Sequence, residues 1–132
     1  MDLTTVGNRP YPIAQPVFLP MPTHSCDPIV VVEDPMVSGF LCSVLTRKGY
    51  PVIPLGLSDG RALLRSADAR IGLLITNQPA VFTEFAGRVP LLYVAAFPDP
   101  AVASPFLVSL MLRKPFLPEQ LLSCVEQLVL PI

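Results

Sequence analysis

Three groups of residues in this 132-residue chain have the types and placement to do chemistry together. Glu33 and Asp34 directly follow the apolar run Ile29 to Val32, Thr76 and Asn77 close the run Ile71 to Thr76, and Lys114-Pro115-Phe116 follow the run Leu107 to Leu112. Adjacent carboxylates offer hard oxygen ligands to a cation such as Mg²⁺, and a lysine neutralises an anion held beside them. Asn77 supplies a carboxamide, which donates and accepts hydrogen bonds but has no anionic oxygen for nucleophilic attack. The bland alternatives stay open here, an acidic pair favoured by a helix N-terminus and a solvated lysine, and the preferred reading between these and a working site is an ion pair of Lys114 with Glu33 or Asp34.

Other chemistry finds little support. The single histidine, His24, and the three cysteines Cys26, Cys42 and Cys124 show no C-x-x-C spacing, so neither a disulfide framework nor a zinc site is expected. Cys42 and Cys124 read as small buried hydrophobes on helices. A hydrolase would want a histidine beside its nucleophile, and the single histidine, His24, lies outside the segment read as the folded core. The chain reads as a non-enzyme without a cofactor, with Glu33 and Asp34 as the only residues to hold Mg²⁺, and that weakly.

The elements that must position these residues alternate between short apolar runs and helical periodicity, the signature of βα units around a parallel sheet. Ile29 to Val32, Val52-Ile53, Ile71 to Thr76, Leu91 to Ala96 and Leu107 to Leu112 form a set of five strands. A helix begins after Asp34 as N-cap, with Pro35 in its first turn and Met36, Phe40, Val44 and Leu45 on one face up to Gly49. A second begins near Ser58-Asp59 and carries Ala62, Leu63 and Leu64; a last one follows Pro118, with Leu121, Leu122, Val125, Leu128 and Val129 as its buried stripe.

The fold class is therefore α/β: a flavodoxin-like, doubly wound sheet of five parallel strands, whose ligand chemistry gathers at the carboxyl ends of the strands. The third and fourth helices are expected to be shortened. Only Gln78 to Val89 connect the third and fourth strands, and Pro98, Pro100 and Pro105 interrupt the next crossover. One face of the sheet should be under-covered as a result.

With that order of motifs the chain resembles the receiver domain of bacterial response regulators in two-component phosphorelays. Ile29 to Asp34 looks like the family's first strand with its acidic pair, and Leu73 to Asn77 like the strand that ends in the phosphoacceptor. Pro90 to Ala96 looks like the strand ending in the switch Thr or Ser, and Lys114-Pro115 like the family's lysine-proline pair. The resemblance covers residues 29 to 130 and implies a CheY-like fold. It also implies a degenerate phosphoacceptor pocket of Glu33, Asp34, Asn77, Ala95 and Lys114. Asn77 stands where the nucleophilic aspartate belongs, Ala95 has no hydroxyl at the switch position, and Met111 replaces a mobile aromatic residue. The implied role is a pseudo-receiver: a cytoplasmic interaction module for a protein partner of a bacterial signalling pathway, independent of phosphorylation.

Composition agrees with such a module. Apolar residues make up 52% and charged residues 14% of the chain, with a net charge of −1, so no electrostatic footprint for nucleic acid or an anionic membrane is expected. No run approaches the ~20 apolar residues that span a bilayer, and the first residues lack the features of a signal peptide. Residues 1–28 form a distinct segment ahead of the receiver-like domain at 29–132. Pro10, Pro12, Pro16, Pro20, Pro22 and Pro28 alternate there with Tyr11, Ile13, Val17, Phe18, Leu19 and Met21. Prolines exclude a helix, and the apolar side chains call for burial, on the same domain or across a homodimer. The alternative reading of the whole chain is a flavodoxin-like domain binding a small ligand or phosphate-bearing cofactor. That reading would want a Gly- or Ser/Thr-rich loop after the first strand, where Glu33-Asp34-Pro35 stands instead.

Overall fold

A computed structural model describes residues 27–129 of the chain. All but the last two residues of the extended segment expected at 1–28 lie outside that range. The strands are β1 (Ile29–Val32), β2 (Val52–Pro54), β3 (Leu73–Thr76), β4 (Leu91–Ala95) and β5 (Ser109–Arg113). Between and after them run α1 (Pro35–Arg47), α2 (Leu57–Arg65), a 3₁₀ segment (Pro79–Phe85), α3 (Pro100–Ala103) and α4 (Pro118–Leu128). The five strands form one sheet in the order β2-β1-β3-β4-β5, every pairing parallel. This is the doubly wound flavodoxin-like arrangement, with its switch point between β1 and β3.

Burial explains why the strands read as continuous apolar runs. All four residues of β1 and of β3 and the first four of β4 are buried, because crossover elements cover both faces of a parallel sheet. The two-residue alternation divides their side chains between two cores. Val30, Val32, Leu74, Leu91 and Tyr93 pack with Leu64, Phe82, Phe85 and Phe106 beneath α2, the 3₁₀ segment and α3. Ile29, Val31, Leu73, Ile75, Leu92 and Val94 pack with Leu41, Leu45, Leu121 and Val125 beneath α1 and α4.

The helices start and stop for local reasons. Pro35 occupies the first turn of α1, where its missing N–H costs nothing, and Asp34 takes the N-cap position without a side-chain capping bond. Gly49, at φ 95°, supplies the left-handed residue that ends the turn beyond Lys48. Gly60 in α2 serves packing: a Cβ there would lie 2.8 Å from Cγ2 of Val32, so its absence lets α2 sit down on β1. In α4 the Gln120 side chain accepts the N–H of Leu117 at 2.8 Å, satisfying a donor at the helix entry. Leu121 and Val125 are buried there, with Leu122, Leu128 and Val129 packed at the margin.

Both shortened crossovers are present. The third is a 3₁₀ segment interrupted at Phe82 (φ −113°, ψ 17°), and the fourth is a single turn, with Asp99 accepting the Ala101 N–H at 3.0 Å. The under-covered face is narrower than expected. Phe82, Phe85, Ala86 and Val89 are buried against the sheet, so aromatic bulk replaces helix length over β1, β3 and β4. β5 remains open on that side, with Ser109 half-buried and Met111 exposed. Glu84 further ties the 3₁₀ segment to α2, through Arg61 at 3.1 Å and Arg65 at 3.3 Å.

Several expected boundaries and one helix face need correction. Met36 and Phe40 do not face the core: they are 87% and 40% exposed, and Leu41 and Leu45 are the buried pair of α1. β5 starts at Ser109, and Leu107 and Val108 lie exposed before it, since no helix covers them. β3 starts at Leu73. Gly72 precedes it, in a close approach where a Cβ would meet the carbonyl oxygen of Asp27 at 2.9 Å. β4 ends at Ala95, one residue early. Cys42 and Cys124 are half-buried and pack beside the α1/α4 core, and burial raises the Cys124 thiol pKa.

Candidate functional site

Sheet register brings the separate motifs to one edge. Val32 pairs with Thr76, so Glu33 and Asn77 leave β1 and β3 side by side. Ala95 pairs with Arg113, and the Lys114 N–H donates to the Ala95 carbonyl at 2.8 Å, so Lys114 continues just beyond Ala95. Across the carboxyl edge, from β1 to β5, the order is Glu33, Asn77, Ala95, Lys114. At the second of these positions, the Thr76 hydroxyl, fully buried, accepts the Gln78 N–H at 3.1 Å and turns the chain so that Asn77 sits half-buried at the rim.

One ion pair closes this edge. Nζ of Lys114 lies 3.1 Å from Oε2 of Glu33 and donates to Oε1 at 3.4 Å. The Glu33 side chain has no solvent exposure, and that of Lys114 is 25% exposed. Oε1 also accepts the Asp34 N–H at 3.0 Å, whereas Oε2 has the ammonium charge beside it without hydrogen-bond geometry. A buried carboxylate requires such a counter-charge, because desolvation penalises it heavily when unpaired. Lys114 therefore pairs with Glu33, and Asp34 stays exposed at the head of α1.

One residue beside the pair was expected elsewhere. Phe40, expected in the core, meets Phe116 at 5.9 Å between ring centroids, beside the Lys114-Pro115 turn, whose peptide bond is cis. At the β4 end the Tyr93 hydroxyl accepts the Asp99 N–H at 3.2 Å. Arg113 donates to the Ala96 carbonyl at 3.1 Å and lies over the exposed Phe97 ring at 5.5 Å. These contacts were not legible in the sequence, because each depends on how a helix or strand meets a neighbouring loop in the folded edge.

The donor set fits a divalent cation poorly. Mg²⁺ takes several oxygen ligands in near-octahedral geometry, and the buried carboxylate is already engaged by an ammonium group and a backbone N–H. Among the described residues no three His, Cys, Asp or Glu side chains come together as a metal-binding group. What the arrangement does is neutralise a buried charge and lock the ends of β1 and β5 together over the ends of β3 and β4. None of the described helices is long and apolar enough to cross a membrane.

No protein-family model and no curated protein matches the sequence. Solved structures do resemble its fold. A response regulator receiver protein from Sinorhizobium medicae superposes with a TM-score of 0.64 at 23% identity, over 80% of this chain and 95% of that one. A CheY-type chemotaxis protein of Vibrio cholerae gives 0.63 at 19% identity, over 79% and 99% of the two chains. The receiver domain of a sensor histidine kinase from Pseudomonas aeruginosa, solved with magnesium in its active-site cleft, gives 0.60 at 20% identity over 78% and 97%. The chain thus has the CheY-like form of the flavodoxin-like fold.

Proposed function

We propose that this chain is a receiver-like signalling domain of the two-component type that binds a protein partner without being phosphorylated. The observation that carries this reading is the Lys114–Glu33 pair, buried at the carboxyl edge beside a carboxamide, Asn77, and a methyl group, Ala95. A phosphoryl-accepting site needs a carboxylate nucleophile and a hydroxyl to receive the transferred group's oxygens. The pair keeps the edge ordered without either. On this reading the protein is not an enzyme, works in the bacterial cytoplasm, and uses Glu33, Asp34, Asn77, Ala95 and Lys114 as a structural remnant of a phosphoacceptor pocket.

The test is incubation with acetyl phosphate and Mg²⁺ followed by intact-mass measurement and by affinity capture from the source cell. The expected result is an unmodified mass and the same captured partner with and without the phosphodonor. A stoichiometric phosphoryl adduct, or capture that depends on the donor, overturns the reading.

A further inference from the structure

The open side of β5 has an occupant within reach in its own chain. Ser109 and Met111 point away from the α1/α4 core that receives Leu110 and Leu112, towards the side where α3 is only one turn long. A groove of about 390 Å³ runs there between Pro100, Ala103 and Phe106 of the last crossover and Ser109 and Met111 of the strand. No charged side chain lines it. Met111 is 44% exposed, and Leu107 and Val108, at the entry to β5, are 80% and 52% exposed. β5 is also the last strand of the sheet, so one side of its backbone has no partner strand among the described residues.

The described chain begins at the matching edge. Asp27 and Pro28 lie just before β1, and the Gly72 N–H donates to the Pro28 carbonyl. In the same way Leu74 N–H donates to Pro90 and Leu91 N–H to Val108, so Pro28, Pro90 and Val108 follow one another along the amino edge of the sheet. From β1 to β5 this edge is three strand spacings, about 14 Å at ~4.8 Å each. The polar residues Thr23, His24, Ser25 and Cys26 span ~13 Å when extended, at about 3.3 Å per residue. The uncharged ribbon Pro10 to Pro22 therefore starts where the groove starts. Its prolines suit an edge position, where no backbone donor is demanded of them, and they lower the entropy lost on docking.

We propose that residues 10–22 lie along the open side of β5 of their own chain, with apolar side chains of the ribbon seated in this groove against Met111. The docking does not depend on the state of the phosphoacceptor-like edge, so it stands or falls separately from the signalling role.

A mutant cycle tests it in the full chain. Met111→Lys and the pair Phe18→Ser with Leu19→Ser are made singly and together, and melting temperatures are compared with those of a truncation lacking residues 1–24. Both cores fall within residues 29–125, so the truncated chain retains its folding unit. The expected result is that Met111→Lys lowers the full chain's melting temperature by several degrees and leaves the serine variant and the truncation unchanged. Amide exchange in Ser109–Arg113 should be about tenfold slower in the full chain than in the truncation, at all protein concentrations. Additive effects, or equal exchange with and without the ribbon, overturn the proposal. Protection that grows with concentration also overturns it and assigns the groove to a second copy.

Discussion

Glu33 and Lys114, 81 residues apart, meet at 3.1 Å between Oε2 and Nζ, and the carboxylate is wholly buried. This contact joins the first strand of the sheet to the last, passing over the ends of the two strands between them. Its energetic character follows from burial: the pair itself adds little net stability, but either charge left alone is costly.

Lys114→Met should therefore destabilise the domain by about 3 kcal/mol in urea unfolding, because it strands the Glu33 carboxylate. Glu33→Gln should cost less, and the double variant Glu33→Gln/Lys114→Met should recover a large part of the Lys114→Met loss. A Lys114→Met variant within about 0.5 kcal/mol of the parent, the range of an ordinary surface substitution, would mean that the pair holds nothing together.

Asn77→Asp adds a carboxylate next to Glu33 on the same edge. That variant should gain a Mg²⁺-dependent rise in melting temperature that the parent lacks, since a third acidic group beside Glu33 and Asp34 competes with Lys114 for the site. Treatment with acetyl phosphate should leave its oligomeric state and its amide spectrum outside residues 74–80 unchanged, because Ala95 has no hydroxyl to carry the signal onward. Spectral changes spreading to β5 on phosphodonor treatment would contradict this.

Gly60→Ala tests the seating of α2 on β1. Alanine improves helix propensity by about 1 kcal/mol, but its methyl group would press on Cγ2 of Val32 at 2.8 Å. Val32 is buried and β-branched, so it gives way poorly, and overpacking of this kind costs about 1–3 kcal/mol. A net loss of stability is expected in chemical denaturation, and Gly60→Ala/Val32→Ala should relieve the clash. A Gly60→Ala variant more stable than the parent would show that the helix shifts freely.

Glu84 gives the α2 clamp a pH dependence. The Arg65 and Arg61 guanidiniums hold its carboxyl below the ordinary value of 4.5. A carboxyl depressed in the folded state contributes stability above its unfolded pKa and loses that contribution as pH falls through the folded value. The melting-temperature difference between the parent and Glu84→Gln should be small and positive near neutrality and should vanish in acid. A difference that persists at the lowest pH would assign it to packing.

The strands were legible because a parallel strand covered on both faces must be apolar throughout, as Ile29 to Val32 and Leu73 to Ile75 are. The shortened crossovers were legible from prolines and residue spacing alone. The face of α1 was not: Val37, Phe40, Leu41, Cys42, Val44 and Leu45 leave the helix apolar nearly all round, and only contact with β1 and β2 selects Leu41 over Phe40. The pairing of Lys114 with an acidic residue followed from strand ends meeting at one edge. The choice of Glu33 over Asp34 depended on which carboxylate turned inward as the chain entered α1. Nothing in the sequence marked Gly60 as a point of close approach, since a glycine within a helix pattern reads equally as a local weakness.

The unequal crossovers leave the two sides of the sheet with different kinds of cohesion. On the α1/α4 side, helices of 13 and 11 residues carry continuous backbone ladders. On the other, Pro79–Phe85 and Pro100–Ala103 are held mainly by the weight of buried rings on backbone whose hydrogen bonds are short-range. Local opening at low free energy is therefore expected first in those two segments, and slower amide exchange in α1 and α4. The sheet thus has a stiffer flank under its long helices and a softer one where the crossovers are short.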